Sequence, residues 1–328
     1  MTKYSLVPAT NYSDWDSFSM QSPQRSVFFQ SRYLSVVGRK YALFFVRQGE
    51  QIKAGVALVL SDDGGSCQLD SLVIYNGILF AAAETSRPAK ARMERFELTE
   101  FIIKELNDRF NGVEMSLSPA FEDMRPFLWH NFHSSQAADK FRIDLRYTSF
   151  LDISEFFLLK ADSETDLFRR LDNSRQADLR KAQGRLAFGE TDEVERFVQF
   201  YDEILLSQGA AMDSKKLDRI RNLIVSILHE KLAKMFAVIN ENGQLTYMML
   251  FTLFQNQGCY LFAAGDQNNR QRYDGTYCLW ESLKALSRLG VREIDLEGVN
   301  SPQRGAFKLG FGGDLRPYFR VSMLPRYG

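Results

Sequence analysis

Long apolar runs are missing from this sequence. Its longest stretches, such as residues 248–254, fall far short of the ~20 residues that a membrane-spanning helix requires, so the chain reads as soluble. Cysteine is scarce: Cys67, Cys259 and Cys278 are odd in number and lack C-x-x-C spacing, which argues against a disulfide frame or a thiolate zinc site. They read as small buried apolar groups. Neither sign of charge is in excess. The 41 basic and 41 acidic side chains cancel, so no global field holds DNA by counterion release, although a local basic groove stays open. His130, His133 and His229 form no metal-like cluster, and neither H-E-x-x-H nor G-x-S-x-G occurs. The opening Met-Thr-Lys-Tyr-Ser lacks the basic and then apolar segment of a signal peptide, which gives a cytoplasmic expectation.

What is present suits a folded enzyme-sized protein. Apolar residues make up 45% of the chain and include 27 Phe, enough burial to exclude disorder. At about 150 residues per domain, 328 residues predict two domains. Residues 41–46, 55–60 and 67–73 read as an antiparallel meander. Met93, Phe96, Ile103, Leu106 and Phe110 then recur at helical spacing, Asn111-Gly112 ends that helix, and a strand follows to the break at Ser118-Pro119. A short helix runs toward His130, and a strand around Phe141, Ile143 and Leu145 closes the first domain.

The second half opens with a strand at 150–153, short helices at 167–171 and 176–183, and two longer helices marked by Val194, Phe197, Tyr201 and by Leu217, Ile220, Ile224. A meander over 233–239, 245–254 and 259–264 leads to a helix over 276–289 that stops at Gly290. Both halves thus share an order: antiparallel strands, long helix, Gly stop, strand beginning with Val, Ser-Pro break. This implies two related α+β domains on mixed sheets.

Three segments carry candidate chemistry. The loop before the 276–289 helix holds Arg270 and Arg272 and ends at Gly275 and Thr276; free helix amides beside two arginines suit a pyrophosphate, whereas the alternative is a solvated, capped loop. Asp295 and Glu297, two apart in a strand, project from one face, where either can accept a proton from an amine or pair structurally with Arg292 or Arg304. In Arg304-Gly305-Ala306-Phe307-Lys308-Leu309-Gly310-Phe311-Gly312-Gly313, the glycines suit a tight turn and Phe307 and Phe311 suit packing. Lys308 among apolar neighbours is the exception, a charge able to stabilise an oxyanion or phosphate.

Asp295-Leu296-Glu297-Gly298, the Phe307-Lys308 to Gly312-Gly313 stretch and Pro317-Tyr318 together resemble the C-terminal signature of the Fem-like peptidoglycan-bridge transferases, within the wider GNAT acyltransferases. Ser174-Arg175-Gln176 through Arg180-Lys181-Ala182 resembles the family's basic helix. Ser26-Val27-Phe28-Phe29-Gln30 and Pro126-Phe127-Leu128-Trp129 resemble first-domain segments. The resemblance implies two tandem GNAT-like domains, each a mixed, largely antiparallel sheet flanked by helices: residues 1–147 on the acceptor side of a cleft, and residues 148–328 for donor binding and catalysis. It implies acyl transfer to an amine, from acyl-coenzyme A or aminoacyl-tRNA. Arg272 to Tyr277 resembles the GNAT pyrophosphate motif, with Tyr277 in place of its final small residue.

The two helices between residues 194 and 230 lack the heptad pattern of a coiled-coil arm, and the charge is neutral overall; both features favour coenzyme A over tRNA. The expected function is therefore transfer of an acyl group from acyl-coenzyme A to the amine of a nucleotide-linked amino sugar for surface polysaccharide synthesis. An aminoacyl-tRNA-dependent ligase acting on a peptidoglycan precursor, and a non-catalytic binding protein, are the alternatives. Lys308, Asp295 and Glu297 are the expected catalytic residues. Phe262, Ala263, Ala264, Arg270, Arg272, Gly275, Thr276 and Phe307 are placed on the donor, and Tyr75, Asn76, Trp129 and Asn300 on the acceptor. No metal, no DNA and no membrane span is expected.

Overall fold

The chain divides into two units, residues 1–146 with 317–328 and residues 147–316. The computed structural model describes residues 3–83, 87–158, 162–209 and 212–323.

In the first unit, β1 (Ser5–Pro8) leads into α1 (Tyr12–Gln21), whose start is capped by Asn11 accepting from the Ser13 amide at 3.0 Å. After α2 (Ser31–Val36), β2 (Tyr41–Gln48), β3 (Gln51–Val59) and β4 (Gly77–Phe80) complete an antiparallel sheet in the order β1-β2-β3-β4. Residues 67–73 do not extend it as the expected third strand and form only isolated bridges. Asp70 bends the segment by accepting from the Leu72 amide at 2.8 Å, a local turn that competes with strand pairing. α3 (Pro88–Arg109) buries Leu98, Ile102, Ile103 and Leu106 with Val56, Leu58 and Ile78 of the sheet. β5 (Val113–Ser116) pairs antiparallel with residues 320–323 of the chain's final strand, and α4 (Arg125–Trp129) follows. Asn76 clasps β4 to β5: its amide donates to the Ser116 carbonyl at 2.8 Å and its side-chain oxygen accepts from the Ser116 amide at 2.6 Å.

Residues 141–145 and 150–153, read from the sequence as separate strands, belong mainly to one strand, β6 (Arg142–Asp152), and the division between units falls inside it. The second unit continues with α5 (Asp166–Arg170), α6 (Asn173–Ala182), β7 (Leu186–Glu190), α7 (Val194–Ser207) and α8 (Ser214–His229). The predicted meander follows as β8 (Ala233–Asn240), β9 (Leu245–Phe254) and β10 (Gln257–Gly265), then α9 (Asp274–Arg288), β11 (Glu293–Asp295), α10 (Pro302–Leu309) and β12 (Asp314–Met323). Strand order is β6-β11-β10-β9-β8-β7, antiparallel except where β10 meets β11. α9 carries the core: Cys278, Leu279, Trp280, Leu283 and Leu286 are all but fully buried, in keeping with the helical spacing of its apolar residues. From Pro317 onward β12 clusters with the first unit, where Tyr318 and Val321 are buried.

Among the described residues no helix is long and apolar enough to cross a membrane, and no group of three or more His, Cys, Asp or Glu is placed to hold a metal. All three cysteines are free and buried.

Candidate functional site

β10 and β11 run parallel for only three residue pairs, ending at Cys259 beside Asp295. Beyond that point β10 continues to Gly265 while β11 has stopped, so among the described residues the edge of β10 turned from β9 has no strand neighbour. A bulge between Tyr260 and Phe262 adds to the divergence. The result is a wedge between the diverging strands in the second unit, and Lys308 of α10 reaches the Tyr260 ring of β10.

Lys308 is 9% exposed. Its Nζ donates to the Glu297 carbonyl at 2.8 Å, lies 3.7 Å from the Glu297 carboxylate, and sits 4.6 Å from the centre of the Tyr260 ring. Burying an ammonium costs several kcal/mol, against about 2 kcal/mol for a charged hydrogen bond and up to about 2 for a desolvated cation–π contact. Burial therefore wins, and the Lys308 pKa is lowered despite the neighbouring Glu297, Cys259 and Asp295.

Glu297 and Gly298 are both left-handed, with φ +46° and +51°, and this turn directs the Glu297 carbonyl at the ammonium. The expected shared strand face of Asp295 and Glu297 is not formed. β11 ends at Asp295, because the left-handed turn breaks the two-residue alternation. Asp295 is instead buried, accepting from the Thr148 hydroxyl and, at 2.8 Å, from the Glu297 amide. Tyr201 of α7 packs against Phe262 with ring centres 5.6 Å apart; burial raises its pKa, with Arg304 and Glu297 the charges that act on it. Tyr201, Tyr260 and Thr148 escape sequence reading because each lies on an apolar or strand face and only the fold converges them.

At the start of α9, where the pyrophosphate cradle is expected, neighbouring elements pack closely. Gly275 and Thr276 are buried. A Cβ on Gly275 would meet the Tyr247 ring at 3.1 Å. The Thr276 hydroxyl donates to Asp178 at 3.0 Å and accepts from Arg175 at 2.7 Å, so α6 covers this helix start. Asp274 adds a carboxyl whose pKa is raised by burial, and its Oδ2 accepts from the Gln271 amide at 3.0 Å. Arg270 and Arg272 point outward on the exposed loop, Arg270 bonding Gln267 at 3.2 Å. Tyr247 and the Arg175–Thr276–Asp178 chain thus pack against one side of the α9 start. Arg175 also stacks on Phe307, 4.9 Å from the ring centre, and thereby links α6, α9 and α10.

Of the other candidates, Phe262 and Ala263 are half-buried on the wedge strand and Ala264 is fully buried. Asn300 spends both halves of its amide on the Tyr147 backbone, at 2.7 and 2.8 Å. In the first unit, Tyr75 is core, edge-on to Phe28 and Tyr318, and Asn76 is the strand clasp. Trp129 is half-exposed, with Arg125 against its ring at 5.5 Å.

No protein-family model and no curated protein matches the chain. Solved structures do. A crystal structure of FemX superposes with TM-score 0.66 at 11% identity, covering 98% of this chain and 97% of that one. A tandem GNAT protein from the clavulanic acid biosynthesis pathway superposes at 0.53 and 13% identity, over 98% and 99% of the two chains. The fold is that of tandem GNAT-like domains. The C-terminal domain of a protein named as a lysylphosphatidylglycerol synthetase, from Agrobacterium fabrum, shares the architecture at TM-score 0.53 and 12% identity, over 95% and 93%. At such identities the likeness defines the tandem GNAT-like fold and nothing finer.

Proposed function

We propose that this protein is an N-acyltransferase of the aminoacyl type, moving an amino acid from an aminoacyl-tRNA to an amine of a peptidoglycan precursor. The observation that carries this reading is the packing at the α9 start, where Tyr247 lies against Gly275 and Asp178 and Arg175 hold the Thr276 hydroxyl, which narrows the room beside that helix for the diphosphate of coenzyme A. The superposition with FemX over nearly the whole chain and the Fem-like residues around Phe307-Lys308 support the same donor.

In this reading the second unit carries the chemistry and the first recognises the acceptor, with half-exposed Trp129 available to stack on it. The neutral amine attacks the ester carbonyl, an amide bond forms, and the ribose oxygen leaves. Glu297 takes the amine proton and returns it to the departing hydroxyl, while Lys308 and the unpaired edge of β10 stabilise the oxyanion. Asp295, bonded to Thr148 and the Glu297 amide, positions the turn.

Transfer to an amine-bearing precursor is to be measured with aminoacyl-tRNA and, separately, with acetyl-coenzyme A. Product that disappears after ribonuclease treatment supports the proposal; product from the thioester alone rejects it. The second outcome would favour the coenzyme A and amino-sugar reading, which the shortness of α7 (14 residues) and α8 (16 residues) supports, since neither forms a long arm. Product from neither donor would favour a non-catalytic binding protein.

A further inference from the structure

The first unit contains a cavity of about 570 Å³, within the range of small-molecule sites. It lies where β4 and the segment after β5 part beyond the Asn76 clasp, the place in the first unit that corresponds in chain order to the β10–β11 wedge in the second. Here the gap is bridged. Gln24, 1% exposed, accepts from the Phe80 amide at 2.9 Å and donates to the Ala120 carbonyl at 2.9 Å, giving the cavity a closed inner end. Phe80 and Phe121, stacked at 5.6 Å, supply an apolar wall.

Three arginines line the same cavity: Arg92 and Arg95 on one face of α3, and Arg125 at the start of α4. Arg125 is neutralised by Asp123, at 2.8 and 2.6 Å. The other acids nearby are taken too, Glu94 by Lys53 at 3.5 Å and Glu97 by Lys3 at 2.6 Å. Arg92 and Arg95 form no ion pair among the described residues, and Glu122 is the only remaining carboxylate of the lining. Arg95 is held in place with its guanidinium 5.4 Å from the centre of the Phe80 ring. With Arg125 paired to Asp123 and Glu122 set against Arg92 and Arg95, the lining keeps one net positive charge beside an apolar wall, and the planar forks of the two guanidiniums match phosphate oxygens.

We propose that this cavity binds a phosphate-bearing small molecule, its phosphate held by Arg92 and Arg95 and its apolar or flat part against Phe80 and Phe121. The site belongs to the first unit and stands independently of the transfer reaction proposed above.

Calorimetric titration of the full chain with inorganic pyrophosphate is the test. Saturable one-site binding is expected, weakened at least tenfold in Arg92→Gln and in Arg95→Gln and unchanged in the double variant Arg270→Gln/Arg272→Gln. Arg92 is exposed, so Arg92→Gln keeps the test valid if Arg95→Gln disturbs the Phe80 packing, and unchanged melting temperatures verify folding. No saturable binding, binding indifferent to Arg92 and Arg95, binding lost only with Arg270 and Arg272, or equal binding of citrate would each overturn the proposal. Given binding, tighter saturation by ADP than by pyrophosphate identifies a nucleotide source. Co-sedimentation with phosphatidylglycerol vesicles, lost in Arg92→Gln, identifies a lipid headgroup.

Discussion

Lys308 is under opposing demands, a costly buried charge and a place beside Glu297 and the Tyr260 ring of β10. Lys308→Met keeps the stem and removes the charge. Product formation in the transfer assay is expected to fall at least 100-fold, the scale of losing an oxyanion donor, while the melting temperature holds or rises because no ammonium is buried. The pH dependence of stability has a definite sign. With its folded pKa lowered, Lys308 makes the wild type gain stability as pH rises toward the unfolded lysine value of about 10.4, since only the unfolded chain still binds that proton. Melting curves of Lys308→Met should lack this gain. Gly312 shows the other residue-scale constraint: φ is +72°, and a Cβ would meet the Arg170 carbonyl at 2.5 Å. Gly312→Ala is expected to cost about 2 kcal/mol or more, measurable by urea denaturation. That glycine's role as a turn was legible from its neighbours; the partner that forbids a side chain was not, because Arg170 is far away in sequence.

At the scale of elements, α6 decides what α9 can do. Its cap is Asp172, which accepts from the Arg175 amide at 2.8 Å and the Ser174 hydroxyl at 2.6 Å. Burial alone would raise the Asp172 pKa, but these hydrogen bonds outweigh it and hold the carboxyl below its usual range. The cap therefore stabilises fully above the unfolded pKa of about 3.9 and is lost as pH falls through the folded value. Asp172→Ala is expected to cost about 1 kcal/mol at pH 7 and less as the pH falls below the unfolded value, as two denaturation series would show. Periodicity located α9 well, because apolar spacing follows from helix geometry, whereas α6 begins at Asn173, ahead of the expected Gln176. That Arg175 and Asp178 would cover the start of α9 was invisible, since a basic helix reads the same whether solvated or docked.

At the scale of the molecule, the final strand is shared between the units: its first residues belong to the second and Pro317 onward to the first. A chain ending at Arg316 loses buried Tyr318 and Val321 and the partner of β5. Limited proteolysis of that truncation is expected to digest residues 3–146 rapidly while protecting residues 147–316; equal protection of both would refute the argument. Calorimetry of the full chain with coenzyme A is expected to show no one-site binding, as the proposed aminoacyl-tRNA donor requires.

Local rules were sufficient for much of this protein. Helical spacing, turn residues and strand alternation placed the second meander, α3, α7, α8 and α9, because each depends on neighbours within a few residues. The oddity of Lys308 among apolar residues was also legible, since a charge in an apolar run stands out without coordinates. Tertiary structure alone decided the rest. It made Glu297 a left-handed turn rather than a strand residue, withdrew Tyr75 into the core, turned Asn76 and Asn300 into backbone clasps, and ringed a cavity with Arg92 and Arg95. Each of these depends on which distant segment supplies the hydrogen-bond partner or the missing counter-charge, and sequence spacing carries no information about that.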